Sequence, residues 1–225
     1  MDLLVCHLGQ VEYREAAALQ ERLRERVIAG DLPELMLVLE HPPVYTVGRR
    51  ADEDELPLGE AHYRSLGIDV VQTPRGGKLT YHGPGQLVGY PIMHVANVPE
   101  YILTMERAIV TALDRAGVQA ATKLGHKHVG VWVEDRKIAS VGVHLSHGVS
   151  SHGFAINVDN DLAPFTWVVA CGLPDVQMTS LQAEGGTESM DCFRKRMGHA
   201  FAEAFGFRQR LVTPARLGVE QPVAA

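Results

Sequence analysis

Between Val129 and Val158 the chain carries a pattern that only a sheet can use. Val129, Val131 and Val133 are apolar at alternate positions, Glu134-Asp135 makes a polar turn, and apolar runs follow at Ile138–Leu145 and Phe154–Val158. Strand side chains point to opposite faces with a period of two, so these runs predict consecutive antiparallel strands. Such a sheet needs cover, and three helical stripes supply it. The first runs from Val11 to Ala29 with Ala16, Leu19, Leu23 and Val27 on one face and Gly30 as its stop. The second runs from Glu100 to Ala116 with Ile102, Met105, Ile109 and Leu113, and the third from about Thr187 to Phe205 with Met190, Phe193, Met197 and Phe201. Two further aliphatic runs, Leu35–Leu39 and Val44–Val47, flank His41-Pro42-Pro43 and read as strands joined by a tight reversal. The stretch beyond Thr213 has no periodicity and is expected to fray. With 46% hydrophobic and 21% charged residues in 225, the chain can close one sizeable core, and no linker or repeat divides it. The expectation is one α/β (α+β) domain over residues 1–213, with mixed and antiparallel sheets flanked by helices, and a frayed tail over 214–225.

Charge narrows the partners. Lys plus Arg number 21 against 27 Asp plus Glu, a net −6, which is the wrong sign for bulk attraction to nucleic acid or anionic lipid. No apolar stretch approaches the roughly 18 residues of a membrane span, and Met1–His7 lacks a basic leader segment, so a soluble, cytoplasmic protein is expected. Three widely spaced cysteines, Cys6, Cys171 and Cys192, form no Cys-x-x-Cys pair and no disulfide framework. Cys192 sits beside the stripe of the third helix and reads as structural or exposed.

Glycine makes up 22 of the 225 residues, about 10% against the usual 7% or so, and the excess is clustered. The densest cluster is Arg75-Gly76-Gly77-Lys78-Leu79-Thr80-Tyr81-His82-Gly83-Pro84-Gly85-Gln86. Paired glycines let a ligand approach the backbone, and an Arg, a Tyr and a His beside them point to binding rather than to a bare turn. The spacing of a phosphate loop is absent. In Ala170-Cys171-Gly172-Leu173-Pro174 a thiol stands at a break after the apolar run Phe165–Val169, with room at Gly172 for an acyl group. A thiol with a pKa near 8.5 is only a few per cent thiolate at neutral pH, so a nucleophile here needs a cation or base. Lys137, at the start of the apolar strand Lys137–Gly142, is one candidate, although it also reads as the polar end of the Glu134-Asp135 hairpin; His82 is the competing base. His126, His128, His144, His147 and His152 invite a metal, but no carboxylate or cysteine joins them at ligand spacing, and no metal site is expected.

Taken together these motifs resemble the lipoyl(octanoyl) transferase family. Its Arg-Gly-Gly-x-x-Thr-Tyr-His-Gly-Pro-Gly-Gln block is Arg75–Gln86, its Lys-Ile-Ala strand is Lys137-Ile138-Ala139, and its His-Gly-x-Ala-x-Asn-Val is His152–Val158. Its Pro-Cys-Gly-Ile segment is similar to Ala170-Cys171-Gly172-Leu173, followed by Thr179-Ser180-Leu181. Lys78-Leu79 stands where Asp-Val is frequent, and Ala170 replaces a proline; neither change removes a reacting group.

The resemblance implies the catalytic fold of biotin and lipoate protein ligases, with Cys171 carrying an acyl thioester and Lys137 lowering its pKa and moving protons. It implies that Arg75, Gly76, Gly77, Lys78, Leu79, Thr80, Tyr81 and His82, with Ser140, Val141, Gly142, Gly153, Phe154 and Ala155, line the acyl and pantetheine channel. The implied reaction moves an octanoyl group from acyl carrier protein to a lysine of lipoyl domains, those of 2-oxoacid dehydrogenase E2 subunits and the glycine cleavage H protein, without ATP or a metal cofactor. Because such partners are acidic, a basic patch of Arg49, Arg50, Lys78, Lys123 and Lys127 is expected at the entrance. A monomer is expected, since no apolar surface stripe stands out. The rivals are an ATP-dependent lipoate ligase, whose Ser-Gly-Gly-Gly and Asp-x-Gly-Asn signatures are missing, and a non-catalytic binding module.

Overall fold

Strand β1 (Asp2–Gln10) shows how the core is divided: Leu3 and Val5 are buried on one face of the sheet, and Leu4, Cys6 and Leu8 on the other. The computed structural model describes residues 1–123, 125, 128–170 and 176–219. Helix α1 (Tyr13–Ile28) returns the chain to β2 (Leu35–Glu40), parallel to β1. Leu35 through Leu39 are all buried because both faces of β2 are covered, which is why the run is continuous rather than alternating. A second strand–helix–strand unit, β3 (Val44–Val47), α2 (Glu60–Ser65) and β4 (Asp69–Gln72), starts a smaller sheet that β5 (Leu79–His82) completes. The chain goes back to the first sheet at β6 (Gln86–Ile92) and passes through α3 (Val98–Arg115). It then forms β7 (Ala121–Thr122), β8 (Val131–Val133), β9 (Arg136–Ser146) and β10 (Val149–Asn157). Short α4 (Ala163–Thr166), α5 (Met190–Ala204) and β11 (Arg208–Val212) complete the described elements. The large sheet has the order β11-β1-β2-β6-β10-β9-β8-β7 and the small one β4-β3-β5.

Helices α3 and α5 cover one face of the large sheet and α1 the other. Phe201 of α5 is fully buried, stacked on Phe154 of β10 at 6.1 Å between ring centroids. Truncating it to alanine would cost on the order of 3–5 kcal/mol. A third cluster, Tyr45, Tyr63, Leu79, Tyr81 and Phe165, joins the small sheet to α2 and α4. No helix among the described residues is long and apolar enough to cross a membrane.

The α/β class and the antiparallel run β8-β9-β10 agree with the sequence pattern. The expected hairpin between Leu35–Leu39 and Val44–Val47 does not form. β2 pairs with β1 and β6, β3 with β4 and β5, and Pro42-Pro43 carries the chain from one sheet to the other. Both runs are buried on both faces, so each needs neighbours that the other cannot supply. Helix α3 begins at Val98 rather than Glu100, because Asn97 caps it by accepting the Glu100 N–H at 3.1 Å and a first-turn proline is tolerated. Helix α5 starts later than expected, at Met190, capped by Ser189. Pro214–Leu217, placed by the sequence in a frayed tail, forms a 3-10 turn; Leu217 is buried and its carbonyl accepts from Arg26 at 2.6 Å.

Candidate active site

A cavity of about 610 Å³ is lined by β5, β6, β9, β10, the loops 49–50 and 75–78, and the first turns of α3. Its arginine-glycine wall is fastened twice. The Arg49 and Arg50 N–H groups donate to the carbonyls of Arg75 and Gly77 at 3.1 Å each, and the Gly76 N–H donates to Val143 O at 2.9 Å. The backbones approach closely at Gly142, where a Cβ would stand 3.0 Å from Gly76 O and press the two segments apart.

At one end of the cavity the walls are polar and buried. Arg75 donates to the Thr46 carbonyl at 2.6 Å and to its hydroxyl at 2.7 Å. Tyr13 and His82 stack at 6.2 Å, His41 lies 5.6 Å from His82, and the Tyr13 hydroxyl reaches His152 Nδ1 at 3.5 Å. Burial is the main reason these imidazoles stay neutral: it holds His41 down at about 4 and, with help from the Arg75 charge, His152 at about 3. His82 is pushed well below its ordinary range by burial first, then by His41 and Arg75. Both of its ring nitrogens have partners, Nδ1 with Gln86 Oε1 at 2.7 Å and Nε2 with the Thr46 hydroxyl at 3.3 Å. That engagement suits a framework role better than the competing-base role. His152 has a left-handed backbone, φ 57°, pinned by its N–H donating to Gln20 Oε1 at 2.6 Å.

Lys137, near the start of β9, lines the cavity away from Val143 and Gly76, with Val129 beside it. It is 3% exposed, its Nζ lies 5.5 Å from the centre of the Trp132 ring, and it pairs in parallel with Met178. The Lys137 N–H donates to Gln177 O at 2.8 Å, and its carbonyl accepts from the Thr179 N–H at 3.0 Å. On the other side of the segment 171–175, the Val169 N–H donates to Glu55 O at 3.1 Å. The buried Glu55 carboxylate also accepts from Leu79 N at 2.9 Å and from Lys78 Nζ at 2.7 Å. A chain of buried hydrogen bonds joins the two ends. From Arg75 and Thr46 it passes through His82 and Gln86 to Asn157 at 2.9 Å, and from Asn157 to Thr179 O at 2.9 Å, beside Lys137.

Thus Arg75, Gly76, Gly77, Lys78, Leu79, Thr80, His82, Lys137, Ser140, Val141, Gly142, Gly153, Phe154 and Ala155 share one cavity. Tyr81 does not join them: its ring packs outward on Tyr45 at 5.6 Å and Phe165 at 5.4 Å, as alternation along β5 requires once Thr80 and His82 face the cavity. Cys171 through Pro174, His126 and Lys127 lie outside the described residues. Of the other thiols, Cys6 is buried and pushed up to about 11 by burial, and Cys192 is exposed on α5. Lys78 and Lys123 do not form the expected free basic patch. Lys78 is tied to Asp52 and Glu55, and Lys123 to Asp135 at 2.7 Å; of the described members of that patch, Arg49 and Arg50 are exposed and in no ion pair. No cluster of three or more His, Cys, Asp or Glu able to hold a metal occurs among the described residues. Tyr13, Tyr90, Val98 and Ile102 also line the cavity. Of these, only Ile102 had a sequence signal, as part of a helix stripe.

The fold is that of enzymes that attach lipoate or biotin to proteins. It superposes on the bipartite lipoate protein ligase of Thermoplasma acidophilum with a TM-score of 0.74 at 18% identity, covering 95% of this chain and 87% of that one. On the biotin protein ligase of Aquifex aeolicus the TM-score is 0.51 at 14% identity, covering 91% and 69%. Residues 12–202 match the lipoyl protein ligase A/B catalytic domain. The octanoyltransferase of Dictyoglomus thermophilum is 38% identical over 211 residues, 93% of this chain and 90% of that protein. That of Rubrobacter xylanophilus is 44% identical over 184 residues, 80% and 82%. The chain belongs to the lipoyl protein ligase A/B catalytic family, among its octanoyltransferases.

Proposed function

We propose that residues 1–213 form one catalytic unit that moves an octanoyl group from octanoyl-acyl carrier protein to the ε-amine of a lipoyl-domain lysine through a thioester on Cys171. The Cys171 thiolate attacks the donor carbonyl; the new C–S bond forms, the bond to pantetheine breaks, and the leaving thiolate takes a proton from Lys137. In the second half the acceptor amine attacks, the amide C–N bond forms, and Cys171 leaves as thiolate while Lys137 takes the amine proton. Exchange between thioesters is nearly isoenergetic and formation of the amide runs downhill, so the reaction needs neither ATP nor a metal. The acceptors are the lipoyl domains of E2 subunits and the H protein, and the reaction belongs in the cytoplasm.

One observation carries this reading. Lys137 is buried in a cavity wall and hydrogen-bonded to Gln177 and Thr179, a few residues beyond Cys171 in the chain. A lysine buried in the wall of this cavity is placed to exchange a proton with a bound reacting group, and the burial that pushes the Cys6 thiol up leaves Cys171 better suited to nucleophilic attack than Cys6. The apolar side chains of Val98, Ile102, Val129 and Val141 suit an alkyl chain, each methylene of which contributes about 0.8 kcal/mol when buried. Arg49 and Arg50 at the rim suit an acidic carrier protein.

The test is intact mass spectrometry of the wild type and C171S mixed first with octanoyl-acyl carrier protein and then with a lipoyl domain. The expected result is an octanoyl adduct on the wild type alone, lost as the lipoyl domain gains the same mass. An absence of adduct on both, with ATP and free octanoate needed to modify the lipoyl domain, would overturn the reading in favour of a ligase.

A further inference from the structure

Glu106 is a carboxylate on the buried side of α3, 6% exposed, next to Met105 and Ile109, which are fully buried in the core. Removing a carboxylate from water costs several kcal/mol unless it is compensated, so its presence in that layer asks for a partner. Two face it. Its Oε1 accepts the Gly130 N–H at 2.6 Å, and its charge acts on Lys137. Burial pushes the Glu106 carboxyl up, while the Gly130 N–H and the Lys137 charge pull it back. Gly130 in turn has φ 133°, and a Cβ there would stand 2.6 Å from Lys137 Cε and 3.3 Å from Nζ. The peptide that Glu106 grips is therefore the surface against which the end of the lysine lies. Val98 and Ile102, eight and four residues earlier, place the same stripe of α3 on the cavity wall.

We propose that Glu106 is a positioning residue for Lys137, fixing the Gly130 peptide behind the lysine stem and supplying a buried negative charge on that side of the amine. This rests on the role given to Lys137 above. A glutamine would keep the bond to Gly130 and remove the charge, so the two functions of Glu106 can be separated.

The experiment measures single-turnover acylation of Cys171 by octanoyl-acyl carrier protein in the wild type, E106Q, K137M and E106Q/K137M, with a thermal melt of each. Expected is an E106Q protein with a melting temperature close to that of the wild type, a maximal acylation rate down about tenfold and an unchanged half-saturating donor concentration. In the K137M background E106Q should cause no further loss, because the interaction it removes is already gone. A wild-type rate in E106Q, or an equal loss from E106Q in both backgrounds, would overturn the inference and leave Glu106 a structural acceptor for Gly130. If E106Q fails to fold, E106D and E106N carry the test: the aspartate should be about tenfold faster than the asparagine, and equal rates would overturn it. A K137M enzyme that acylates at the wild-type rate would instead overturn the role of Lys137, and this inference with it.

Discussion

The two ends of the cavity are built on different electrostatic plans. Around Arg75 the rings of Tyr13, His41, His82, Tyr90 and His152 interlock, and the three imidazoles are held neutral by burial. Around Lys137 there is one amine, one carboxylate and a glycine peptide beside Trp132 and Val129. Neutral donors and acceptors satisfied by fixed partners make a rigid wall, whereas a paired charge can exchange a proton with a reacting group. Under the proposed function, the arginine end gives shape and Lys137 moves the protons.

The largest expected effect tests that division. Replacing Lys137 by methionine should lower acyl transfer by about 10³-fold with little change in melting temperature, read by single-turnover acylation and calorimetry. A loss of that size with the fold intact sharpens the division, and a small one breaks it.

The histidine end should show itself in stability. Its imidazoles are held below 6.5 in the fold, so the unfolded chain takes up protons that the folded one refuses as the pH falls below that value. Stability is therefore complete above about pH 6.5 and declines as pH falls toward the folded values. For His41, held at about 4, the loss by pH 4.5 is roughly 3 kcal/mol. Urea unfolding at pH 7.5 and 4.5 should show a smaller pH difference in His41→Gln than in the wild type; equal differences would mean that His41 is not held neutral.

A smaller effect is expected at Gly130, where the Cβ of an alanine would clash with Ala139 O and stand 2.6 Å from Lys137 Cε and the residue would adopt an unfavourable φ. Acylation should slow about tenfold or more, with a lower maximal rate rather than a weaker half-saturation. The smallest is expected at the rim. Reversing Arg49 and Arg50 to glutamate should raise KM for the carrier protein several-fold at low salt, and the difference should shrink as salt screens it. A KM independent of salt would remove the rim from the docking surface.

Much of the cavity was legible as contiguous chain. Arg75–His82, Lys137–Gly142 and His152–Ala155 each carry their chemistry within a few residues, and a glycine cluster beside charged and aromatic groups is visible without a structure. What was not legible depends on pairing across distance. Tyr81 is inside the motif and outside the cavity, because the facing of β5 is set by its packing on Tyr45 and Phe165. Lys78 looked free until Asp52 and Glu55 closed on it from another loop. Tyr13, Tyr90 and Val98 carry no local mark at all; α1, β6 and α3 deliver them.

By itself the sequence determined the α/β class, the antiparallel run from Val131 to Asn157, the three principal helices and the residues of the glycine motif, because periodicity and glycine spacing are local properties of the chain. Only the tertiary structure decided that β2 and β3 belong to different sheets, that Lys137 meets Met178, and that Glu106 reaches Gly130. These are contacts between segments 24 to 41 residues apart, or between strands that share no turn, and they are selected by burial on both faces and by satisfying buried polar groups rather than by any short-range preference.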